Sequence, residues 1–234
     1  MQALAGTRRS EPLTYYHRTG PLGQLFQRLP QLSNAAEIGV VGLGVGAVAS
    51  YAMPNQLWTF YEIDPAVERI ARNPRYFTFL QQCGSRCRVR EGDARLSLAR
   101  ERPNSFGMIV VDAFSSDAIP THLITSEALS LYLTKLAPDG VLAFHVSNRH
   151  LSLGPVLARL ALEHHLAMRE QLQFVTPEEE KSGKRVSDWV VLARDEAGLG
   201  SVAGDQRWAT VHVSASIRPW TDDFSNVVSV LRMR

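Results

Sequence analysis

Val40-Val41-Gly42-Leu43-Gly44-Val45-Gly46 reads as an apolar strand that runs directly into a glycine-rich turn, and the AVASYA segment after it continues as a helix over Gly46 to Ala52. Glycine is needed where the backbone must turn tightly or let a ligand approach without a Cβ in the way. Such a strand, turn and helix serves either as a structural corner or as the cradle of a nucleotide. The acidic residues that follow bear on that choice.

Phe60-Tyr61-Glu62-Ile63-Asp64-Pro65 ends the next strand, about 20 residues beyond the glycines, where a carboxylate accepts hydrogen bonds from ribose hydroxyls. Glu62 is the candidate, while Asp64 followed by Pro65 reads as the N-cap and first residue of a helix. Glu91-Gly92-Asp93-Ala94 ends the third strand. Asp93 is placed either to accept from an adenine amino group or to cap the helix ARLSLARER. Val110-Val111-Asp112-Ala113-Phe114 ends the fourth. Four successive strands thus carry glycine or carboxylate at their carboxyl ends, the edge at which open α/β sheets bind ligands.

Apolar runs and helical segments alternate from about Ala35 onward, the pattern of a Rossmann-like, doubly wound, mostly parallel seven-stranded sheet. Strands are expected at Glu37 to Gly42, Leu57 to Ile63, Cys87 to Glu91, Met108 to Asp112, Val141 to Val146, Arg169 to Val175 and Trp189 to Ala193. Burial on both faces explains why IGVVG and MIVVD are continuously apolar. Further helices are expected at Pro65 to Arg72, Ala94 to Arg100, Ser126 to Leu136 and Gly154 to His164, with Ser126 as an N-cap. Residues 1–34 read as an N-terminal extension with a lead-in helix carrying Leu22, Leu25, Phe26 and Leu29, and residues 35–234 as the catalytic domain.

The chain of 234 residues is long enough for one sizeable core, and 25 Lys and Arg against 23 Asp and Glu leave too small an imbalance to point to nucleic acid or a membrane surface. No apolar run reaches the roughly 18 residues of a bilayer span, and the first residues lack a signal-peptide core. These features, with Cys83 and Cys87 read as two free thiols, predict a cytoplasmic protein. No His, Asp or Glu spacing suggests a metal. His145, in an apolar strand, reads as a satisfied core residue.

The set VVGLGVG, FYEID, EGDA and VVDAF resembles class I S-adenosylmethionine-dependent enzymes. The string DAFSSDAIPTHLITSEALSLYLTKLAPDGVLAFHVSN, with LTYYHRTGPLG before it and PWTDDFSNVVSVLR after it, resembles their spermidine synthase-like branch, the polyamine aminopropyltransferases, some bacterial forms of which are joined to a membrane transporter-like region. The resemblance covers about Leu13 to Arg232. It implies that Gly42, Gly44, Gly46, Glu62, Asp93 and Ala94 hold S-adenosylmethionine or its decarboxylated form. It also implies that Asp112 is the general base toward an amine substrate, and it suggests a homodimer. The chain departs from the family's D-S-S-D-P loop, since Asp117 follows Asp112 at a longer interval, and from its β-rich amino-terminal segment, since few residues precede Leu13.

A short dicationic acceptor needs negative charge at its far end, which nominates Asp117, Asp222 and Asp223, while Tyr15, Tyr16 and His17 are candidates for the mouth. Two alternatives share the fold: a methyltransferase using S-adenosylmethionine, and a nucleoside-binding module without catalysis.

Overall fold

The computed structural model describes residues 10–35, 37–114, 120–213 and 217–231. Two short helices, α1 (Pro21–Arg28) and α2 (Gln31–Asn34), precede β1 (Glu37–Val41). The chain continues through β2 (Leu57–Glu62), α3 (Pro65–Ala71), α4 (Phe79–Cys83), β3 (Cys87–Glu91), α5 (Ala94–Ala99) and β4 (Phe106–Val111). It then forms α6 (Ser126–Lys135), β5 (Leu136–His145), α7 (Gly154–Glu163), β6 (Ala167–Gln173), α8 (Pro177–Lys181) and β7 (Ser187–Ala193). The sheet order is β3-β2-β1-β4-β5-β7-β6. Strands β1 to β5 pair in parallel, and β7 runs antiparallel to both β5 and β6.

This is the doubly wound sheet that the alternation predicts. Its strand order reverses between β1 and β4, so a crevice opens at their carboxyl ends. On one face Leu22 and Leu25 of α1, with Leu29 just after it, pack with Trp58, Met108 and Trp189; on the other, Leu98, Leu129 and Leu157 pack with Phe144 and Val190. Each such side chain, fully removed from water, contributes about 1.5–3 kcal/mol. The lead-in helix is therefore part of the main core. Gln24 adds a buried polar tie, its Oε1 accepting from the Trp208 indole at 3.1 Å.

Three local expectations are corrected. The segment after the glycine turn is a 3-10 helix at Ala47–Tyr51, preceded by Gly46 in the left-handed region. Thr125, not Ser126, caps α6: its side chain accepts from the Ala128 amide, while the Ser126 hydroxyl contacts His164 Nε2 at 2.8 Å. Cys83 and Cys87 are joined in a disulfide, with Cα atoms 5.6 Å apart, and no described cysteine is free. The turn at Gly84–Arg86, entered with Gly84 at φ 63°, folds the end of α4 back toward the start of β3 and brings the two together. The bond removes the free-thiol argument for a reducing compartment. No described helix is long and apolar enough to cross a membrane.

Gly42 shows why its position needs glycine. Its φ is 94°, and a Cβ there would lie 2.5 Å from the Asp112 carbonyl oxygen, where β1 and β4 end side by side. Gly42→Ala is therefore expected to lower stability by about 2–4 kcal/mol, combining backbone strain with overlap against a neighbouring strand. Urea unfolding of the two proteins measures the difference.

Acid sensitivity follows from two carboxylates held by arginines. The Arg207 guanidinium holds the Asp205 carboxyl down at about 2, with Arg28 of α1 adding to the effect, and Arg95 does the same for Asp222, also to about 2. The folded values lie below the ordinary carboxylate value of about 3.9. The resulting stabilisation is thus present above about pH 4 and is lost as pH falls from there toward 2. Asp222 is exposed, and the arginines that cover Asp205 are themselves half-exposed, so solvent screening leaves on the order of 1 kcal/mol each. Asp205→Asn should remove one such share of the pH 2–5 dependence, measured by denaturant unfolding at a series of pH values.

Candidate functional site

The site is built from one row of strand ends. The Gly42 amide donates to the Tyr61 carbonyl at 2.8 Å, the Gly92 amide to Glu62 at 2.8 Å and the Asp112 amide to Val41 at 2.9 Å. The parallel register therefore sets Gly42, Glu62, Gly92 and Asp112 along one edge. Since Val111 pairs with Phe144, the next residues, Asp112 and His145, stand side by side.

Glu62 is buried, and its carboxylate fastens the glycine turn to the end of β2. Oε2 accepts from the Leu43 amide at 2.9 Å and Oε1 from the Asp64 amide at 3.0 Å. Each oxygen keeps a lone pair for a further donor. Across the turn, Gly44 has φ 52° with nothing within 4 Å of where a Cβ would stand, leaving open space beside the backbone. Asp93 caps α5, Oδ1 accepting from the Leu96 amide at 2.9 Å, while Oδ2 lies 3.9 Å from His122 Nε2.

These residues line a cavity of about 360 Å³ that contains Gly42, Gly44, Glu62, Asp93, Ala94 and Asp112. The volume falls within the range of about 300–1,000 Å³ usual for small-molecule sites. Gly46 closes the turn rather than facing the cavity, its Cβ position lying 3.2 Å from Leu80 Cγ. A second cavity of about 790 Å³ adjoins the first through Tyr16 and Phe114, and includes Tyr15, His145, Ser147 and Arg149.

Asp112 lines the smaller cavity beside Tyr16 and Phe114, the residues shared with the larger one, and its side chain is 6% exposed. The Tyr16 hydroxyl donates to Oδ2 at 2.6 Å, and His145 Nδ1 lies 2.7 Å from Oδ1. Burial first, and the Asp112 charge second, hold the Tyr16 phenol well above its ordinary value, so Tyr16 stays a neutral donor. Its reach depends on the amino-terminal segment. The Thr14 amide donates to the Gly183 carbonyl at 2.7 Å and Leu13 is buried, which lays Tyr15 and Tyr16 over the strand ends.

His145 is a satisfied core histidine, as its apolar strand predicts, but it also belongs to the site. The ring stacks on Trp189 with centroids 4.5 Å apart and planes 10° apart, because His145 and Trp189 are cross-strand partners in β5 and β7. Its position after Phe144, in register with Asp112 after Val111, is the signal that pairing two adjacent strand ends supplies.

The acceptor-side expectations meet a different arrangement. Asp222 lines neither cavity: Arg95 grips both its oxygens at 2.7 and 2.8 Å, and the Thr125 hydroxyl donates to it at 2.8 Å. It fastens the carboxyl-terminal segment to α5 and α6. Asp223 is exposed and also lines neither cavity, and Asp117 lies outside the described residues. His17 contacts Thr19 at 3.1 Å and lines neither cavity. Among the described residues no cluster of three or more His, Cys, Asp or Glu is arranged to hold a metal.

The chain is 34% identical over 176 residues to the polyamine aminopropyltransferase of Vibrio vulnificus, a match covering 73% of this chain and 54% of the relative. It thus spans about half the length of that protein. No family model matches. Among solved structures, spermidine synthase from Thermotoga maritima is similar with TM-score 0.52 at 14% identity, covering 86% of this chain and 66% of that one. Human methyltransferase-like protein 13 in complex with SAH is similar with TM-score 0.54 at 22% identity, covering 80% and 82%. The fold is that of class I S-adenosylmethionine-dependent transferases, with homology to spermidine synthase alongside likeness to methyltransferases.

Proposed function

We propose that the chain is an aminopropyltransferase-like enzyme that binds decarboxylated S-adenosylmethionine in the smaller cavity and transfers its aminopropyl group to an amine entering from the larger one. The observation that carries this reading is Asp112, a carboxylate with a buried side chain in the smaller cavity, held by Tyr16, which lines both cavities, and by His145, which lines the larger one. The similarity to a polyamine aminopropyltransferase supports it.

The smaller cavity fits a nucleoside on three counts. The open side of Gly44 lets the turn approach a ligand, the remaining lone pairs of Glu62 suit ribose hydroxyls, and Asp93 Oδ2 suits an adenine amino group. The sulfonium nucleoside supplies an electrophilic methylene. The residues of the chain supply the rest. A free aliphatic amine is mostly protonated at neutral pH, near the reference value of about 10.4, and does not attack in that form. Asp112 takes a proton from the ammonium and so frees the nitrogen lone pair, which attacks the methylene: the N–C bond forms as the C–S bond breaks, methylthioadenosine leaves with the bonding pair on sulfur, and Tyr16 remains a phenol throughout.

The likeness to SAH-bound methyltransferase-like protein 13 favours a second reading, methyl transfer from S-adenosylmethionine on the same scaffold. Incubating the purified chain with each donor and a short diamine, followed by mass spectrometry, separates the two. Aminopropylated amine with methylthioadenosine is the expected result. Methylated product alone overturns the proposal in favour of methyl transfer, and nucleoside binding without turnover of any amine reduces the chain to a binding module.

A further inference from the structure

The hydrogen bonds around His145 form a chain with a direction. The Asp188 backbone amide donates to Ser147 Oγ at 2.8 Å, Ser147 Oγ lies 2.8 Å from His145 Nε2, and His145 Nδ1 lies 2.7 Å from Asp112 Oδ1. An ionised carboxylate has no hydrogen to give, so the bond to Asp112 requires one on Nδ1. Nε2 of a neutral ring is then an acceptor. Ser147, already accepting from an amide, is left to donate its single hydroxyl hydrogen to it.

The ring has little freedom to break this order. Trp189 stacks on one side, the Phe114 ring stands edge-on at 4.9 Å and Tyr15 lies at 5.0 Å. Nothing of this kind holds the other histidine near the site, His122, which is exposed and reaches Asp93 only at 3.9 Å.

We propose that His145 is the positioning residue for Asp112, fixed by Ser147 in the tautomer that carries hydrogen on Nδ1, so that the carboxylate meets the amine ionised and at a set angle. This rests on the reading of Asp112 as general base. Ser147 acts one step further out, through His145. Neither residue exchanges a proton with substrate: the amine proton passes to Asp112 alone, while the Nδ1 hydrogen stays on the imidazole.

Three variants and one spectrum test it. Asn carries an amide nitrogen at nearly the reach of Nδ1, whereas Leu offers packing against Trp189 and no donor. His145→Leu should lower kcat on the order of 10²-fold, with acceptor KM and nucleoside Kd within about three-fold of the parent, and His145→Asn should recover about ten-fold of that loss. Ser147→Ala should lower kcat about five- to ten-fold. In the parent, ¹⁵N NMR of His145 should show a protonated Nδ1 and a bare Nε2.

The proposal is overturned by the opposite tautomer, by a His145→Leu enzyme within three-fold of parental kcat, or by Asn and Leu variants equally impaired. The tautomer is readable in an inactive protein. A parent without turnover would therefore count against the proposed function, while the ring's protonation would still decide for or against the positioning role.

Discussion

Asp112→Asn is expected to lower kcat by about 10²–10⁴-fold, the usual contribution of a positioned general base, while the nucleoside Kd changes less than ten-fold. The substitution keeps the shape of the side chain and removes its capacity to take a proton. It also turns an amide NH₂ toward either the Tyr16 hydroxyl or His145 Nδ1, both of which donate to the carboxylate as it stands. Leaving one buried donor without an acceptor costs about 1–3 kcal/mol of stability, so thermal unfolding should fall modestly beside the kinetic loss. Steady-state kinetics and calorimetry on the same preparation separate the effects. A variant within ten-fold of parental kcat would remove Asp112 from the chemistry.

Glu62→Gln is the second large effect and falls on binding. The parental carboxylate accepts from the Leu43 and Asp64 amides and has a lone pair on each oxygen for ribose. In the variant one position becomes an NH₂ that faces a backbone N–H, donor against donor. The turn then loses a fastening, and one ribose hydroxyl loses an anionic acceptor. Hydrogen bonds to charged groups are worth about 1.5–3 kcal/mol, so the nucleoside Kd should rise on the order of 10²-fold. Turnover at saturating donor should fall far less, because the role proposed for Glu62 is toward the nucleoside and not the reacting atoms. An unchanged Kd by calorimetry would show that the ribose is bound elsewhere.

The two substitutions separate because β2 and β4 each bring a carboxylate to the same edge but set it among different partners. Glu62 is tied down by backbone amides, Asp64 of its own turn and Leu43 of the neighbouring glycine turn, and Asp112 by side chains from more remote segments: Tyr16 lies 96 positions away and His145 lies 33 away. That difference also explains what the sequence revealed. Strands buried on both faces announce themselves as apolar runs, and the glycine turn, Glu62 and Asp112 each end or follow such a run directly, while Asp93 follows the charged edge strand β3 and is marked by its Glu-Gly-Asp turn. Their places were legible from local pattern alone.

The contacts that assemble the site were less legible. His145 looks like any histidine in an apolar strand until β5 is set beside β4 in register. Asp222, next to Asp223 after a Pro-Trp-Thr segment, looks like free negative charge until Arg95, 127 positions away, is seen to hold both its oxygens. Cys83 and Cys87 needed the turn at Gly84, whose φ of 63° is a property of the backbone rather than of the spacing. In each case a long-range pairing or a turn geometry decides, and neither is written in residue order.

The measurement closest to the central claim is a crystal structure of the chain with methylthioadenosine and a short diamine bound together. The account predicts adenosine in the cavity of Gly42, Glu62 and Asp93, and an amine nitrogen within about 2.6–3.2 Å of an Asp112 oxygen on the side of Tyr16 and His145. A thioether sulfur turned away from Asp112, or a diamine bound beyond its reach with the nucleoside in place, would contradict it.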